Sequence, residues 1–348
     1  MAPTPGELLA TYGPAAGLDP AVAPFPREGT FAERLAAYPF LMAPMAGVTD
    51  GAYRLLARAG GAALAVSEMV SVAGLHYANE KTWRLVDPLP EEPDIVVQLF
   101  GSDPAQFSEA AATVRDRVGD KLAAIDVNMA CPVPKVTRKG EGSALLDDPG
   151  RAAAIVAACR EGAGDAVPVT AKIRIGRRPG ETVGPAFAAR LEEAGVSAVA
   201  VHGRFASQFY RGESDTGAVA DVVRAVSVPV IASGDALDAA AAARLKVETG
   251  ACAVYCARGT YGDPWIFRDA ARVLAGEEVP ERGAGERLAA FALHVRLLEA
   301  TGAPLARARS LAGWYLKGMP EAASWRERAM HCDTAADYLA LIEAVAAQ

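Results

Sequence analysis

The sequence is poor in cysteine, and its cysteines follow no pairing pattern. Five cysteines occur among 348 residues, an odd number with no CxxC pair, which argues against a disulfide framework or a zinc cage. We expect the thiols to be reduced. Metal binding by Cys252 and Cys256 is an alternative, but burial as small apolar side chains explains both residues. No histidine cluster suited to a metal stands out among the four histidines, and we predict no metal site.

Long apolar runs and strong charge are also missing. No window of about eighteen uninterrupted apolar residues occurs. The first residues, MAPTPGELLATYGPAAG, carry no basic stretch followed by an apolar one. A net charge of -7 and 51% hydrophobic residues are ordinary for a globular protein. We expect a cytoplasmic monomer that does not contact a membrane.

Short apolar runs alternate with Ala-rich stretches of helical period, eight times over. This pattern favours parallel strands joined by crossover helices, and eight units fit a (β/α)8 TIM barrel, with a doubly wound sheet as the alternative. Between the runs lie helix signatures such as DDPGRAAAIVAACREG, where Asp147 or Asp148 can cap the start, Pro149 suits the first turn and Gly162 suits the exit. The predicted strands are 40–45, 62–68, 94–100, 123–128, 168–174, 196–202, 228–233 and 252–257.

Two regions fall outside this repeat. Residues 1–36 are rich in Ala and Pro and form an N-terminal extension, either a wrapping arm or a flexible tail. Residues 270–348 lose strand character and show helical spacing. We therefore predict a barrel domain over 37–269 followed by a C-terminal all-helical domain.

Active sites of this fold lie at the carboxyl ends of the strands, where polar residues gather in this sequence. Gly234 follows strand 7 and Gly259 follows strand 8, the two positions at which barrels commonly bind phosphate, although tight turns alone would also explain them. Lys172 lies on strand 5 and is expected to point inward, where a lysine without an anionic or electron-rich partner is costly.

The stretch DVNMACPVPKVTRKGEGSALL, residues 126–146, is the most specific feature. It places Cys131 before a proline, with Asn128 ahead of it and three cations behind it. With this loop the chain resembles the tRNA-dihydrouridine synthases, flavin enzymes that reduce particular uridines in transfer RNA. The resemblance extends over residues 38–330 and includes APMAGVTD, VQLFG, AKIRIG, VHGR, SGD and GDPWIF.

The resemblance implies a barrel with FMN at its mouth, a helical domain that binds tRNA, and NADPH as the electron donor. Hydride would pass from reduced FMN to C6 of uracil, and Cys131 would protonate C5. A general acid must be protonated at working pH, a condition that a thiol with an ordinary pKa of about 8.5 meets.

Matched position by position, the resemblance implies roles for the residues at the strand ends. Those implied to bind FMN are Pro44, Met45, Ala46, Gln98, Lys172, His202, Ser233, Gly234, Asp235, Ala257 and Arg258. Those implied to contact the uracil or the RNA backbone are Asn128, Arg174, Tyr210, Lys135, Arg138 and Lys139.

Some positions depart from the family pattern. Ala130 replaces the usual glycine before the cysteine, Ser233 and Ala257 replace Asn and Gly, Phe205 follows VHGR where Thr is usual, and Leu311 stands where a cation is usual. Two other functions therefore stay open. The first is a flavin barrel that acts on a small pyrimidine-like molecule, and the second is an RNA-binding protein that has lost catalysis.

Overall fold

The computed structural model describes residues 2–77 and 80–348. Its sheet has eight parallel strands in the order β1-β8-β7-β6-β5-β4-β3-β2. The strands are β1 Phe40–Met42, β2 Val70–Ser71, β3 Ile95–Phe100, β4 Leu122–Met129, β5 Val169–Gly176, β6 Ala198–Phe205, β7 Val230–Ser233 and β8 Ala253–Cys256. Seven of the eight predicted strands are confirmed, with ends shifted by up to three residues.

The second predicted strand, 62–68, is wrong as a continuous strand. It contributes two isolated parallel bridges, from Ala65 to Met42 of β1 and from Val66 to Val96 of β3, while β2 itself pairs with the end of β3. Because this segment pairs with strands on both sides, it closes the sheet. A doubly wound sheet, which has two open edges, is therefore excluded, and the fold is a (β/α)8 barrel.

Side chains along each strand point alternately to the inner and the outer face of the barrel, because successive residues of a strand face opposite sides. Val169, Ala171 and Ile173 of β5 pack in the apolar layer shared with the surrounding helices, whereas Lys172 and Arg174 line a cavity at the barrel mouth. The lower interior is apolar, and Ala124, Ala198 and Ile231 are among its residues. Polarity along the inner face thus rises toward the carboxyl ends.

The described residues form sixteen α-helices, which in chain order are α1 Pro5–Tyr12, α2 Phe31–Ala37, α3 Gly51–Ala59, α4 Val72–His76, α5 Glu80–Trp83, α6 Pro104–Val118, α7 Pro134–Thr137, α8 Pro149–Ala163, α9 Gly184–Glu193, α10 Thr216–Ala225, α11 Ala239–Thr249, α12 Ile266–Ala275, α13 Ala284–Ala300, α14 Ala308–Tyr315, α15 Ala322–Ala329 and α16 Ala335–Ala346. Residues 270–348 contain helices and turns only. The predicted domain division at residue 270 stays a prediction, and α12 runs through that residue.

Helix α8 begins as predicted and ends later. Asp148 caps it by accepting a hydrogen bond from the backbone N–H of Arg151 at 3.0 Å, and Pro149 occupies the first turn. Gly162 does not end the helix. A Cβ on Gly162 would lie 2.0 Å from the Ser108 carbonyl oxygen of α6, so this glycine permits close packing of α6 on α8, and Gly164 ends the helix.

The N-terminal segment packs against the C-terminal helices and against the lower end of the barrel. Leu8 and Leu9 of α1 share an apolar cluster with α13 and α16, and the carbonyl of Ala16 accepts a hydrogen bond from the Trp265 indole at 2.9 Å. Phe25 and Leu35 are buried among the residues that fill the lower barrel. These contacts favour a wrapping arm over a flexible tail. Within the described residues, none of the helices combines the length and the apolar character needed to cross a bilayer.

Candidate active site

A cavity of about 510 Å³ opens at the carboxyl ends of the strands. All eleven residues predicted to hold the cofactor line it, and so do Cys131, Asn128, Arg174 and Tyr210. The other lining residues are Ala43, Val48, Met69, Ala130, Pro132, Val133, Phe209, Ala236, Leu237, Tyr255 and Tyr261. The fold therefore brings the predicted residues together, while their individual roles stay predictions.

One side of the cavity is built on β3 and β4 and is held by a chain of hydrogen bonds. Asp126 is fully buried and accepts from the Gln98 amide at 2.7 Å and from the Thr170 hydroxyl at 2.6 Å. The Gln98 carbonyl oxygen accepts in turn from the Asn128 amide at 2.8 Å. Burial raises the pKa of Asp126, which the bonds from Gln98 and Thr170 oppose. This chain fixes the Gln98 side chain before any ligand binds.

The cysteine loop is anchored to the same chain. The Asn128 side-chain oxygen accepts hydrogen bonds from the backbone N–H groups of Ala130 at 3.2 Å and of Cys131 at 3.0 Å, and the Cys131 carbonyl accepts from Ser143 N at 3.0 Å. Asn128 thus orients the loop as well as lining the cavity. Burial raises the pKa of the Cys131 thiol, against smaller opposing effects that include the charges of Arg174 and Lys172. The thiol is consequently protonated at neutral pH and can donate a proton.

The part of the cavity wall that is built on β5 to β8 is cationic. Burial and the neighbouring Arg174 lower the pKa of Lys172 to about 8, and burial lowers that of Arg174 to about 10. Burial, followed by the charges of Lys172, Arg174, Arg204 and Arg258, holds the pKa of His202 well below its ordinary value, so His202 is neutral at pH 7. Such a concentration of positive charge favours an anionic ligand.

Arg174 is largely occupied within the protein. Its Nε donates to the Ala130 carbonyl at 2.9 Å, and its Nη1 donates to the carbonyls of Phe205 and Phe209, each at 3.0 Å. The guanidinium therefore ties the cysteine loop to the loop after β6. This positioning role is additional to the uracil contact that the sequence predicted for Arg174.

At the ends of β7 and β8, Asp235 organises two arginines. Its carboxylate accepts from Arg204 at 2.6 Å and from Arg258 at 3.0 Å. Arg204 is buried, whereas Arg258 stays partly exposed at the cavity wall. Asp235 therefore orients Arg258, and Arg204 is not a surface cation.

The backbone beside this carboxylate requires a glycine. Gly234 has φ of 123°, and a Cβ there would lie 2.2 Å from the Ser214 Oγ. That Ser214 oxygen is buried without a hydrogen-bond partner among the described residues. The sequence predicted a phosphate-binding turn at this position, with a tight turn alone as the alternative, and the need for glycine is compatible with either.

Tyr210 lies at the rim, with 58% of its surface exposed. The guanidinium carbons of Arg258 and Arg174 lie 5.3 Å and 6.0 Å from its ring centroid. The predicted backbone contacts Lys135, Arg138 and Lys139 do not line the cavity. They are exposed on α7 and the turn after it, beyond the cysteine.

Comparison with known proteins identifies the family. The model of the family described as "Dihydrouridine synthase (Dus)" matches residues 41–348. The chain belongs to the dihydrouridine synthase family. It is 38% identical over 305 residues to "tRNA-dihydrouridine synthase B" of Xanthomonas axonopodis pv. citri (strain 306), which covers 86% of this chain and 90% of that protein.

Two further relatives agree. The chain is 39% identical over 294 residues to "tRNA-dihydrouridine synthase B" of Pseudomonas aeruginosa PAO1, with 82% of this chain and 86% of that protein covered. It is 38% identical over 313 residues to "Probable tRNA-dihydrouridine synthase" of Rhodobacter capsulatus, with 87% and 93% covered.

The structure explains three departures from the family pattern. Among the described non-glycine residues, positive φ occurs at Phe209, Asp235 and Glu321, so Ala130 has an ordinary backbone and the loop does not need glycine there. The Phe205 ring lies close to Gly176, where an added Cβ would be 3.0 Å from it. Leu311 is buried in the apolar cluster of the helical region, and this position is therefore not an exposed cation site.

Four residues near the site were given no role there by the sequence analysis. Glu68 and Asp50 lie beside the loop after β1, and both contact Arg307, which ends a short 3-10 turn before α14. Asp50 ends the motif APMAGVTD and Glu68 ends the predicted strand 62–68, but neither pattern indicated that both residues contact Arg307. Asp126 was also overlooked, although an acid inside the apolar run AAIDVN was a visible signal.

Proposed function

We propose that the protein is a tRNA-dihydrouridine synthase that reduces a uridine of tRNA to 5,6-dihydrouridine. The observation that carries this proposal is the position of the Cys131 thiol, whose pKa is raised by burial, in the wall of a cavity that Lys172, Arg174 and Arg258 also line. A protonated thiol and a cationic wall are the features that proton donation beside an anionic redox cofactor requires.

The lining residues fit FMN. A volume of about 510 Å³ lies in the usual range for cofactor sites, about 300–1,000 Å³. The cationic side would balance the negative charge of a phosphate and of a reduced flavin. Arg258 and the backbone at Gly234 lie at the strand ends where barrels bind phosphate. Pro44, Met45 and Ala46 would form the wall under the ring. When bound, reduced FMN, replenished from NADPH, supplies the hydride that C6 of the uracil receives.

Four residues would then position the flavin ring and complete the reaction. Gln98, held by Asp126, presents a fixed amide to the polar edge of the ring. Lys172 stabilises negative charge that develops there, because its ammonium lies in a site of low polarity. Cys131 would donate its proton to C5, and the resulting thiolate would regain a proton from solvent.

The exposed residues suit a large polyanionic substrate. Tyr210 offers an aromatic face at the rim, a surface on which a base can stack. Lys135, Arg138 and Lys139 are exposed beyond the cysteine and would contact RNA phosphates. Residues 270–348 would bind tRNA as the helical domain. We retain a cytoplasmic location and a monomeric state as predictions.

The test is the reaction itself with the purified full-length protein. Flavin released on denaturation identifies the cofactor by absorbance and mass, and incubation with NADPH and unmodified tRNA transcripts is followed by mass spectrometry of the nucleosides. We expect FMN and a gain of 2 Da on specific uridines. Reduction of free uridine or uracil, but not of tRNA, would instead identify a small-molecule enzyme, and a colourless protein that takes up no flavin would refute the proposal.

A further inference from the structure

Arg307 lies far along the chain from the barrel loops but contacts two of their carboxylates. Its Nη2 donates to the Glu68 carboxylate at 2.9 Å, and its Nη1 pairs with Asp50. The side chains of Asp50 and Glu68 are 13% and 11% exposed, and that of Arg307 is 25% exposed. The ion-pair group is therefore mostly withdrawn from water, where such contacts are stronger than on a surface.

Glu68 connects this guanidinium to the cavity wall. The carboxylate oxygen that does not contact Arg307 accepts a hydrogen bond from the backbone N–H of Gly47 at 2.5 Å. Gly47 lies in the loop after β1, whose residues Ala43–Ala46 and Val48 line the cavity. A Cβ on Gly47 would meet no atom within 4 Å, so packing around that position does little to hold the loop in place.

Asp50 holds the other end of the same loop. Its second oxygen accepts from the Tyr53 N–H at 2.9 Å and caps α3. Burial alone would lower the pKa of Arg307, but the carboxylates of Asp50 and Glu68 outweigh it and the pKa is raised. Arg307 thus keeps its charge, and the loop is fixed at both Gly47 and Asp50 by one guanidinium.

A second contact joins the helical region to the part of the cavity wall that follows β8. Trp314 of α14 stacks on Tyr261, with ring centroids 3.9 Å apart and an interplanar angle of 5°. Tyr261 lines the cavity. Helix α14 and the turn before it therefore contact the wall in two places that are separate in sequence.

We propose that Arg307 is a positioning residue that holds the loop 43–50 in the cavity wall through Glu68 and Asp50, so that the C-terminal helical region preorganises the cofactor site. The inference rests on the proposed function only for the identity of the cofactor. It assigns to the tail a role that the prediction of an RNA-binding domain did not include.

The test measures the loop and the cofactor separately in the full-length protein. The variant is Arg307→Gln, and the matched control is Arg309→Gln, which removes a pair with Asp333 within the helical region. In flavin-free protein we expect amide hydrogen exchange in residues 43–50 to rise about tenfold for Arg307→Gln and not for the control. FMN affinity by fluorescence titration should fall about tenfold, equivalent to about 1.4 kcal/mol.

Two further variants separate positioning from general damage. Arg307→Lys keeps the charge but cannot span two carboxylates, so it should restore only part of the FMN affinity. In a Glu68→Gln background, Arg307→Gln should cost less than in the wild type, because the two residues act through one contact. If Arg307→Gln is insoluble, Arg307→Lys takes its place, with a smaller rise in exchange expected.

The outcomes are distinct. Equal exchange in 43–50 and equal FMN affinity for the Arg307 variant and its control overturn the inference, as does exchange that rises equally throughout the barrel. A wild-type protein that binds no FMN, with exchange raised in 43–50 by Arg307→Gln, leaves the positioning role standing and refutes the proposed function.

Discussion

The two sides of the cavity stabilise the site in different ways. On the β3–β4 side, Asp126, Gln98 and Asn128 form a chain of hydrogen bonds that continues to Thr170 and to the cysteine loop. On the β5–β8 side, burial and then the charges of neighbouring arginines lower the pKa values of Lys172 and His202. The first side is hydrogen-bonded without a ligand. On the second side Asp235 pairs with Arg204 and Arg258, and an anionic ligand would balance the remaining charge of Lys172 and Arg174. We therefore expect the geometry of the site to depend on the β3–β4 side and the affinity for an anionic ligand to depend on the β5–β8 side.

The largest expected effect is on the hydrogen-bonded side. With Cys131→Ala we expect FMN binding and reduction by NADPH to be unchanged, while uridine reduction falls by about 10²- to 10⁴-fold, the usual effect of losing a general acid. Stopped-flow absorbance and nucleoside mass spectrometry measure the two half-reactions. Cys252→Ala, at the lower end of the barrel, is the control and should retain activity. Flavin loss in Cys131→Ala would make the thiol structural.

On the cationic side, Lys172→Met should lower FMN affinity by roughly tenfold, since it removes a buried charge that an anionic ligand would contact. Affinity in the wild type should fall as pH rises through about 8, because the pKa of Lys172 in the free protein is about 8 and the ammonium is lost above it. A bound anion would raise the pKa of Lys172. Protonation of Lys172 and binding of the anion therefore favour each other, and affinity is lost as the pH rises. The methionine variant should show a flatter profile between pH 7 and 9, and Lys246→Met on α11 should not. A wild-type affinity independent of pH would contradict the role of Lys172.

A third test concerns the backbone beside the arginines. Gly234→Ala should destabilise the protein by about 1–3 kcal/mol, the usual cost of a strained backbone conformation, because φ is positive and the new Cβ meets Ser214. Gly285→Ala is the matched control. It lies within α13, where a Cβ meets nothing within 4 Å, and should stabilise by about 0.5–1 kcal/mol. Urea unfolding measures both. Equal stability of the two variants would contradict the steric argument.

The smallest effect is expected outside both sides of the cavity. Lys317 is exposed just after α14. Lys317→Glu should leave FMN affinity unchanged and reduce the slope of log K for tRNA against log salt by about 0.9, the value for one lost phosphate contact on a duplex. Filter binding between 50 and 200 mM salt measures it, and Arg244→Glu on α11 serves as the control. An unchanged slope would argue against RNA contact by this part of the tail.

Much of the site follows from the sequence because strand periodicity is local. Once β5 is recognised, a period of two places Thr170, Lys172 and Arg174 on one face, and a closed barrel directs that face inward. The same reasoning located Gln98, Asn128 and Cys131 at the ends of β3 and β4. The segment 62–68 was harder to predict, since its apolar pattern resembles that of the strands but its pairing is limited to two bridges.

The sequence by itself determined the eightfold alternation, the helical character of 270–348 and the membership of the cysteine loop in a recognisable family, because these are encoded in neighbouring residues. Only the tertiary structure decided which cations are buried and what they contact. Arg204 turns inward to Asp235 while Lys135 stays exposed, and Arg307 reaches Glu68 across 239 positions of the chain. The charge of each side chain is a property of the sequence, but its partner and its dielectric surroundings are set by packing between distant segments.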